Sequence, residues 1–316
     1  MKTVLITGAA GNLGGLLADY LKDSGMILNL LIHKKDIDPK LKGIANINVF
    51  KADLGNKDSL TPSLKNVDTV VHFAGILFKH NPEKFLPKTN TIYFKNLVEK
   101  AIENKVKRII LISFPHVEGE TVPENPAKGS LNGKPISMHA KTRLEEEKLL
   151  FSKGTKTNIE TVSLRVGMVY GRGILMIDTA RWFAKYRLLG IWKNPTWIHL
   201  ISTQDFLEST KQAIIKENIN GIYHIGDEGE QTLQEFLNSA TRQWGYKPPW
   251  KMSVGLIMFA AGIFELISFI FCTKSPLTKD FIKIGMVSYY GDTKRMRSEL
   301  IKDLKCKTYK EGIETM

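Results

Sequence analysis

Short unbroken apolar runs alternate with stretches of helical spacing through the first half of the chain. Val4-Leu5-Ile6, Ile27–Ile32 and residues 47–50, 69–73 and 108–112 read as strands. Residues 12–23 place Leu13, Leu16, Leu17 and Leu21 on one helical face, and residues 94–104 are also helical in pattern. Strands that are apolar on both faces, separated by helices, predict a parallel sheet covered on both sides. A loop rich in Pro, Gly and Glu follows over 114–135, then a helix over 138–151 and a strand over Glu160–Val166. After Gly173 aromatic and basic residues mix, and the strand–helix alternation loses its regular spacing. The pattern predicts an α/β fold: a Rossmann-like, doubly wound parallel sheet over residues 1–170. Residues 171–316 read as a small C-terminal substrate lobe interleaved with the last strands of the sheet.

Between the first strand and the first helix lies Thr7-Gly8-Ala9-Ala10-Gly11-Asn12-Leu13-Gly14-Gly15. Gly8 permits a tight turn, Gly11 lets backbone approach a pyrophosphate, and Gly14 lets the helix pack close to the sheet. Ala10, Asn12 and Leu13 complete the turn, and the opening amides of the helix present donors and a positive dipole end to phosphates. The spacing is Gly-x-x-Gly-x-x-Gly rather than Gly-x-Gly-x-x-Gly. The second strand ends at His33-Lys34-Lys35, with Asp36 late for a ribose-binding acid. Basic residues there suit a 2′-phosphate, so NADP(H) is favoured with His33 and Lys34 as contacts. A solvated strand-end turn explains the same residues, and NAD(H) stays open.

These residues resemble the extended or atypical short-chain dehydrogenase/reductase superfamily in its epimerase/dehydratase-like branch. Thr7 to Gly14 matches the family's TGxxGxxG. Ala52-Asp53-Leu54 resembles the pair in which the acid bonds the adenine amino group and the next backbone N–H an adenine ring nitrogen. His72-Phe73-Ala74-Gly75 is similar to the turn beside the cofactor ribose, and Leu164-Arg165 with Val169-Tyr170-Gly171-Arg172-Gly173 to LRPxxVYGxG. Residues 197–205, Asp292-Thr293-Lys294-Arg295 and Tyr309-Lys310-Glu311-Gly312 continue the resemblance to the C-terminal end.

The resemblance implies a Tyr-x-x-x-Lys pair and a nearby Ser, with the Lys lowering the Tyr pKa and holding the nicotinamide ribose. Lys141 fits the Lys, because 142–150 matches the helix that follows; four residues earlier stands Ser137, not Tyr. The substrate-bonding Ser falls on Phe114, leaving Ser113 one residue before it. A serine hydroxyl has no proton equilibrium near neutral pH, so His139 is the expected stand-in, assisted by Lys141 and Ser113, with His116, Tyr170 and Tyr93 as further protonatable side chains. A histidine at the exposed start of a helix is the plainer reading of His139. Three functions follow. The first is an NAD(P)(H)-dependent oxidoreductase or epimerase acting on a small carbonyl or hydroxyl compound, anionic or lipid-like, with a rearranged acid/base. The second is a cofactor-binding scaffold or redox-sensing subunit, and the third a peripheral membrane protein that modifies lipid.

Composition narrows the partners. The 316 residues are 43% hydrophobic and 24% charged, which excludes a disordered chain. Lys and Arg number 45 against 32 Asp and Glu, a net charge of +13 that favours anionic partners. No nucleic-acid signature accompanies the charge, so nucleic acid is set aside. Two cysteines, Cys272 and Cys306, exclude a disulfide framework and a Cys-based zinc site, and no metal is expected. The N-terminus reads as a first strand rather than a signal peptide, and a reducing cytoplasm is the expected compartment. Arg172, Arg181, Lys185 and Arg187 with Trp192 and Trp197 are candidates to hold an anionic substrate, or the basic face of a solvated helix. The apolar segment 254–272 carries Glu265 in its middle, follows Trp250 and Lys251 and precedes Lys274 and Lys279. It suits a helix in a membrane interface or an apolar lid, and equally a buried helix or a homodimer face.

Overall fold

Alternation across the pleat sorts the first strand. Val4 and Ile6 enter the core on one face of the sheet while Leu5 enters the opposite core, and all three are fully buried. The computed structural model describes residues 1–75, 81–271, 273, 275 and 277–316. In chain order the first elements are β1 (Thr3–Thr7), α1 (Asn12–Leu21), β2 (Ile27–Ile32), β3 (Ile47–Lys51), α2 (Thr61–Leu64) and β4 (Thr69–His72). Then come α3 (Tyr93–Glu103), β5 (Arg108–Ser113), α4 (Met138–Gly154) and β6 (Glu160–Val166). The C-terminal half adds β7 (Met168–Tyr170), α5 (Leu175–Lys185), β8 (Gly190–Trp192), β9 (Trp197–Ile198), β10 (Leu200–Ser202) and α6 (Thr203–Ile215). It continues with β11 (Gly221–Ile225), β12 (Gln231–Thr232), α7 (Leu233–Gln243), β13 (Trp250–Met252), α8 (Val254–Ile270), α9 (Lys279–Gly285) and α10 (Tyr309–Gly312).

Seven parallel strands form the main sheet in the order β11-β6-β5-β4-β1-β2-β3. Strand order reverses between β1 and β4, where Thr7 pairs with His72, so the carboxyl ends of these two strands flank the crevice in which such sheets bind ligands. On one face α3 contributes Phe94, Leu97 and Val98 to a core with Leu5, Val70 and Leu111. On the other, Leu17 and Leu21 of α1 and Phe206 and Ile214 of α6 pack with Val4, Ile6 and Leu28. The chain therefore returns to the main layer after residue 171: α6 lies beside α1, and β11 extends the sheet next to β6. Three two-stranded pairs, β10–β7, β12–β9 and β13–β8, build the rest of the C-terminal half.

One buried polar cluster fixes α4 against the sheet. Arg165, with no exposed surface, donates from Nε to Glu147 Oε1 at 3.0 Å and from Nη2 to Glu147 Oε2 at 2.6 Å. Its other amine meets Glu118, which is held down to about 2; burial opposes that shift, but the hydrogen bond from His224 and the charge of Arg165 outweigh it. Ser163 and Ser113 also donate to Glu147, at 2.8 and 2.5 Å. The carboxylate is thus surrounded by donors, the condition under which a charge tolerates burial. Of the apolar segment 254–272, α8 accounts for Val254–Ile270; Cys272 and Lys274 lie outside the described residues. Among the described residues no helix is long and apolar enough to cross a membrane.

Candidate active site

The glycine loop is shaped by contacts that a side chain would close. Gly8 has φ +70°, and a Cβ there would lie 3.0 Å from the Ala74 nitrogen. At Gly14 a Cβ would lie 2.5 Å from the Gly8 carbonyl oxygen, so α1 can approach β1 this closely only with glycine at that position. Gly11 donates its N–H to Gly8 O at 2.8 Å and caps α1 without a side-chain acceptor. The opening amides of α1 are therefore not taken up by a side chain, and Gly11 and Asn12 are exposed. Ala10 and Leu13 are half-buried beside them. Thr7 Oγ1 ties the strand ends together, 2.8 Å from His72 Nδ1 and accepting from Ala74 N at 3.4 Å. Complete burial holds His72 well below the usual histidine range, so it is neutral.

Asn12 does more than follow the glycine. Its Nδ2 donates to Gly173 O at 2.5 Å and its Oδ1 accepts from Leu175 N at 3.0 Å, which pins the loop after β7 to the start of α1. At the other end of the crevice Asp53 and Leu54 follow β3, and Asp53 Oδ1 accepts from Gly55 N at 2.8 Å. His33 Nδ1 stands 3.7 Å from that carboxylate, and His33 and Lys34 are exposed just past β2. Asp36 is occupied by Lys42 Nζ at 2.5 Å and by Ile37 N at 2.9 Å.

On the α4 side of the crevice Ser137 and Lys141 stand at the start of the helix. Ser137 is the N-cap of α4, with its Oγ accepting from Ala140 N at 3.2 Å, so it is a structural cap rather than a proton donor. Lys141 is exposed in the first turn of α4. Residues two apart on a helix are rotated by roughly 200°, and it is Arg143 that faces inward. Arg143 Nη2 donates to Ala74 O at 3.3 Å and Nη1 to Glu146 Oε2 at 2.6 Å; a Cβ on Gly75 would meet Nη2 at 2.6 Å. His139 lies one turn before Arg143 and is buried, with Nε2 3.3 Å from Asp280 Oδ2 on α9. A titratable ring and a cation thus stand four residues apart, like Tyr-x-x-x-Lys, but two residues later than Ser137 and Lys141.

Electrostatics at this wall follow from burial. Burial, aided by the Arg143 charge, holds His139 down to about 4, and burial raises Asp280. Fully buried Glu146 is pushed up to about 7, because desolvation outweighs the pull of Arg143. Ser113 does not face the crevice; its hydroxyl is spent on Glu147. The Phe114 ring instead lies 5.1 Å from His116 and 6.5 Å from His139. His116 is half-buried and bound to Val287 O at 3.0 Å. Tyr170 is buried against Phe236, and Tyr93 lies against Gly55. The expected anion-holding set also disperses: Trp192 is buried and donates to Thr196 Oγ1, whereas Arg187 stacks on Trp250 at 4.8 Å.

This fold has many solved counterparts. The dTDP-glucose 4,6-dehydratase of Bacillus anthracis, solved in complex with NAD, superposes with a TM-score of 0.79 at 14% identity, covering 100% of this chain and 95% of its own. In sequence, a uronate dehydrogenase of Pseudomonas putida is 30% identical over 52% of this chain and 60% of its own length. The decarboxylating sterol-4-alpha-carboxylate 3-dehydrogenase of Mus musculus is 28% identical over 57% of this chain and 51% of its own. The chain spans about half the length of the curated relatives it matches. The glycine loop, the crevice and the α4 wall all fall within residues 4–187, which match the family model, and the chain belongs to the NAD dependent epimerase/dehydratase family.

Proposed function

We propose that this protein binds a nicotinamide dinucleotide across the β1/β4 crevice and interconverts a secondary alcohol and its ketone on a hydroxylated, sugar- or sterol-like substrate. The observation that carries the reading is Arg143 on the Ala74 carbonyl with His139 one helical turn away. The residues present fit the cofactor: the Gly8 and Gly14 positions leave the backbone cradle free of Cβ atoms, and the first amides of α1 are uncapped. When bound, the nicotinamide ring supplies a carbon that accepts or returns hydride.

Arg143 takes the place of the family's Lys, orienting the ribose hydroxyls with its planar fork of donors. His139 takes the place of the Tyr. Held neutral at rest, its imidazole would accept the substrate hydroxyl proton, and Asp280 beside it would stabilise the imidazolium. Return of that proton to the carbonyl oxygen completes the reverse reaction. A ring neutral at pH 7 is poised for the alcohol-oxidising direction. NADP(H) is the preferred form, because exposed His33 and Lys34 stand past β2 while Asp36 is neutralised by Lys42.

The test is a fluorescence titration with NADPH and NADH, followed by transfer of a 4-deuterium label from the reduced cofactor to a panel of uronates, nucleotide sugars and sterol ketones. Binding with label transfer, lost in His139→Ala, supports the reading. Absence of any fluorescence change with either dinucleotide defeats it.

A further inference from the structure

We infer that α8 docks the protein on an anionic lipid surface, with its outer face laid into the membrane interface. A helix on the surface of a globular protein normally turns a polar face to solvent. Here Ile257, Ala261 and Ser268 face the protein, and the opposite stripe, Leu256, Phe259, Ile263, Leu266, Ile267 and Ile270, is exposed. Those positions recur at helical spacing, so they form one continuous line along about 25 Å of helix. Phe259 is 67% exposed and Ile270 62%, values ordinary for lysine and costly for these side chains in water. Glu265, the one carboxylate in α8, accepts from Lys279 N at 2.9 Å.

The surroundings select the occupant. The Phe183 and Phe264 rings, 5.9 Å apart, join α5 to α8, and β13 pairs with β8 at the start of α8. That junction carries exposed Trp182, Tyr186 and Trp250. Trp250 Nε1 donates to Arg187 O at 2.9 Å, Arg187 lies over the Trp250 ring, and Lys185 stands 5.5 Å from the Tyr186 ring centre. An apolar stripe edged by amphipathic aromatics and exposed Lys185, Arg187 and Lys251 is the arrangement a lipid interface rewards: acyl chains meet the stripe, and headgroups meet the rim. A second copy of the chain fits worse, since pairing on this face would bring two rims of like charge together on chains of net charge +13. The helix is a docking element on the membrane, not a span across it. Because α9 follows α8 and carries Asp280 to His139, the docked face lies one helix away from the candidate acid–base pair.

The full chain is mixed with vesicles of phosphatidylcholine alone or with an equal share of phosphatidylglycerol, and floated through a density step. The wild type rises with the anionic vesicles and less with the neutral ones. Phe259→Glu with Ile263→Glu cuts the bound fraction at least about tenfold. Arg187→Glu with Lys251→Glu removes only the preference for phosphatidylglycerol. Unchanged near-ultraviolet circular dichroism shows that each variant is folded, and Ile270→Glu, at the open end of the stripe, replaces the first pair if that pair is not. The inference is overturned if wild type fails to float with either vesicle, or if it and the stripe variants float equally. It is also overturned if wild type sediments as a dimer that the stripe variant splits without any vesicle binding, because the occupant is then a second copy. Dinucleotide fluorescence, read on the same samples, separates failure of this inference from failure of the catalytic reading.

Discussion

Replacing Arg143 by alanine tests both of its contacts in one variant. The guanidinium bonds Glu146, a carboxyl with no exposed surface, and Ala74 O at the edge of the cofactor crevice. Glu146 titrates at about 7 in the fold, raised from 4.5 by burial in spite of Arg143. A carboxyl raised on folding contributes stability below its unfolded pKa and loses it as pH rises toward the folded value. Without Arg143 the folded value moves higher still, and the loss continues to higher pH. At pH 6 Glu146 is mostly protonated in both proteins, so the variant is weaker only by the lost hydrogen bonds, about 1–2 kcal/mol. Above pH 7 wild type stops losing stability through this group while the variant continues, and the gap widens by about 1.4 kcal/mol per pH unit. Urea unfolding at pH 6, 7, 8 and 9 measures the gap. Arg143→Ala with Glu146→Gln flattens it, yet the double variant still binds the reduced dinucleotide roughly tenfold more weakly, the cost of a charge-assisted contact. A gap independent of pH would refute the pairing with Glu146, and unchanged dinucleotide affinity would refute the role of Arg143 at the cofactor.

Three other outcomes are expected. Gly14→Ala places a Cβ 2.5 Å from the Gly8 carbonyl oxygen, a backbone atom with no rotamer to yield, so thermal unfolding should show a loss of about 1–3 kcal/mol together with weakened dinucleotide binding. Ser137→Ala removes the cap on Ala140 N and should cost about 1 kcal/mol in chemical denaturation; label transfer should continue at the wild-type rate, and its abolition would show that Ser137 does more than cap the helix. Stability should peak near pH 6.5. Burial holds His116, His139 and His199 down to about 4 and His72 lower, so folding excludes protons from them as pH falls below the unfolded value of 6.5, and stability drops. These four outnumber the raised carboxyls of Glu146, Asp227 and Asp280, leaving a net slope of at least about 1.4 kcal/mol per pH unit in the acid limb. Above pH 6.5 Glu146, at about 7, and Asp227, at about 8, still titrate, and stability falls again. A midpoint denaturant concentration that rises steadily from pH 6.5 to 8 would contradict this balance.

The sheet was readable because β1, β2, β4 and β5 carry apolar runs that enter both cores, a pattern that survives any detail of packing. Beyond residue 171 the signal weakens for a physical reason. Strands of two or three residues, such as β9 and β12, are too short to show a period, and their pairing joins residues 33 to 35 positions apart. The glycine loop was legible because its residues answer to local sterics, as the contacts at Gly8 and Gly14 show. The bridge from Asn12 to Gly173 and Leu175 was not, since no periodicity links side chains more than 160 positions apart.

At α4 the proposed register differs from the one read in the sequence. Lys141 was matched to the ribose lysine because residues 142–150 match the helix that follows it, and that register places Ser137 four residues earlier. Matching by charge and by helical face gives another register. His139 and Arg143 are four apart, and Glu147, four further on, is buried against Arg165; all three therefore lie along the inward side of α4, while Lys141 is exposed. The signal that separates the registers is present in the sequence: a helix resting on a sheet cannot turn Lys141 and Glu147, six positions and roughly 600° of rotation apart, into the same layer as readily as it does Arg143 and Glu147. Once Glu147 is fixed by Arg165, Ser113 and Ser163, the rotation of α4 is settled, and with it which of the two cations can reach Ala74.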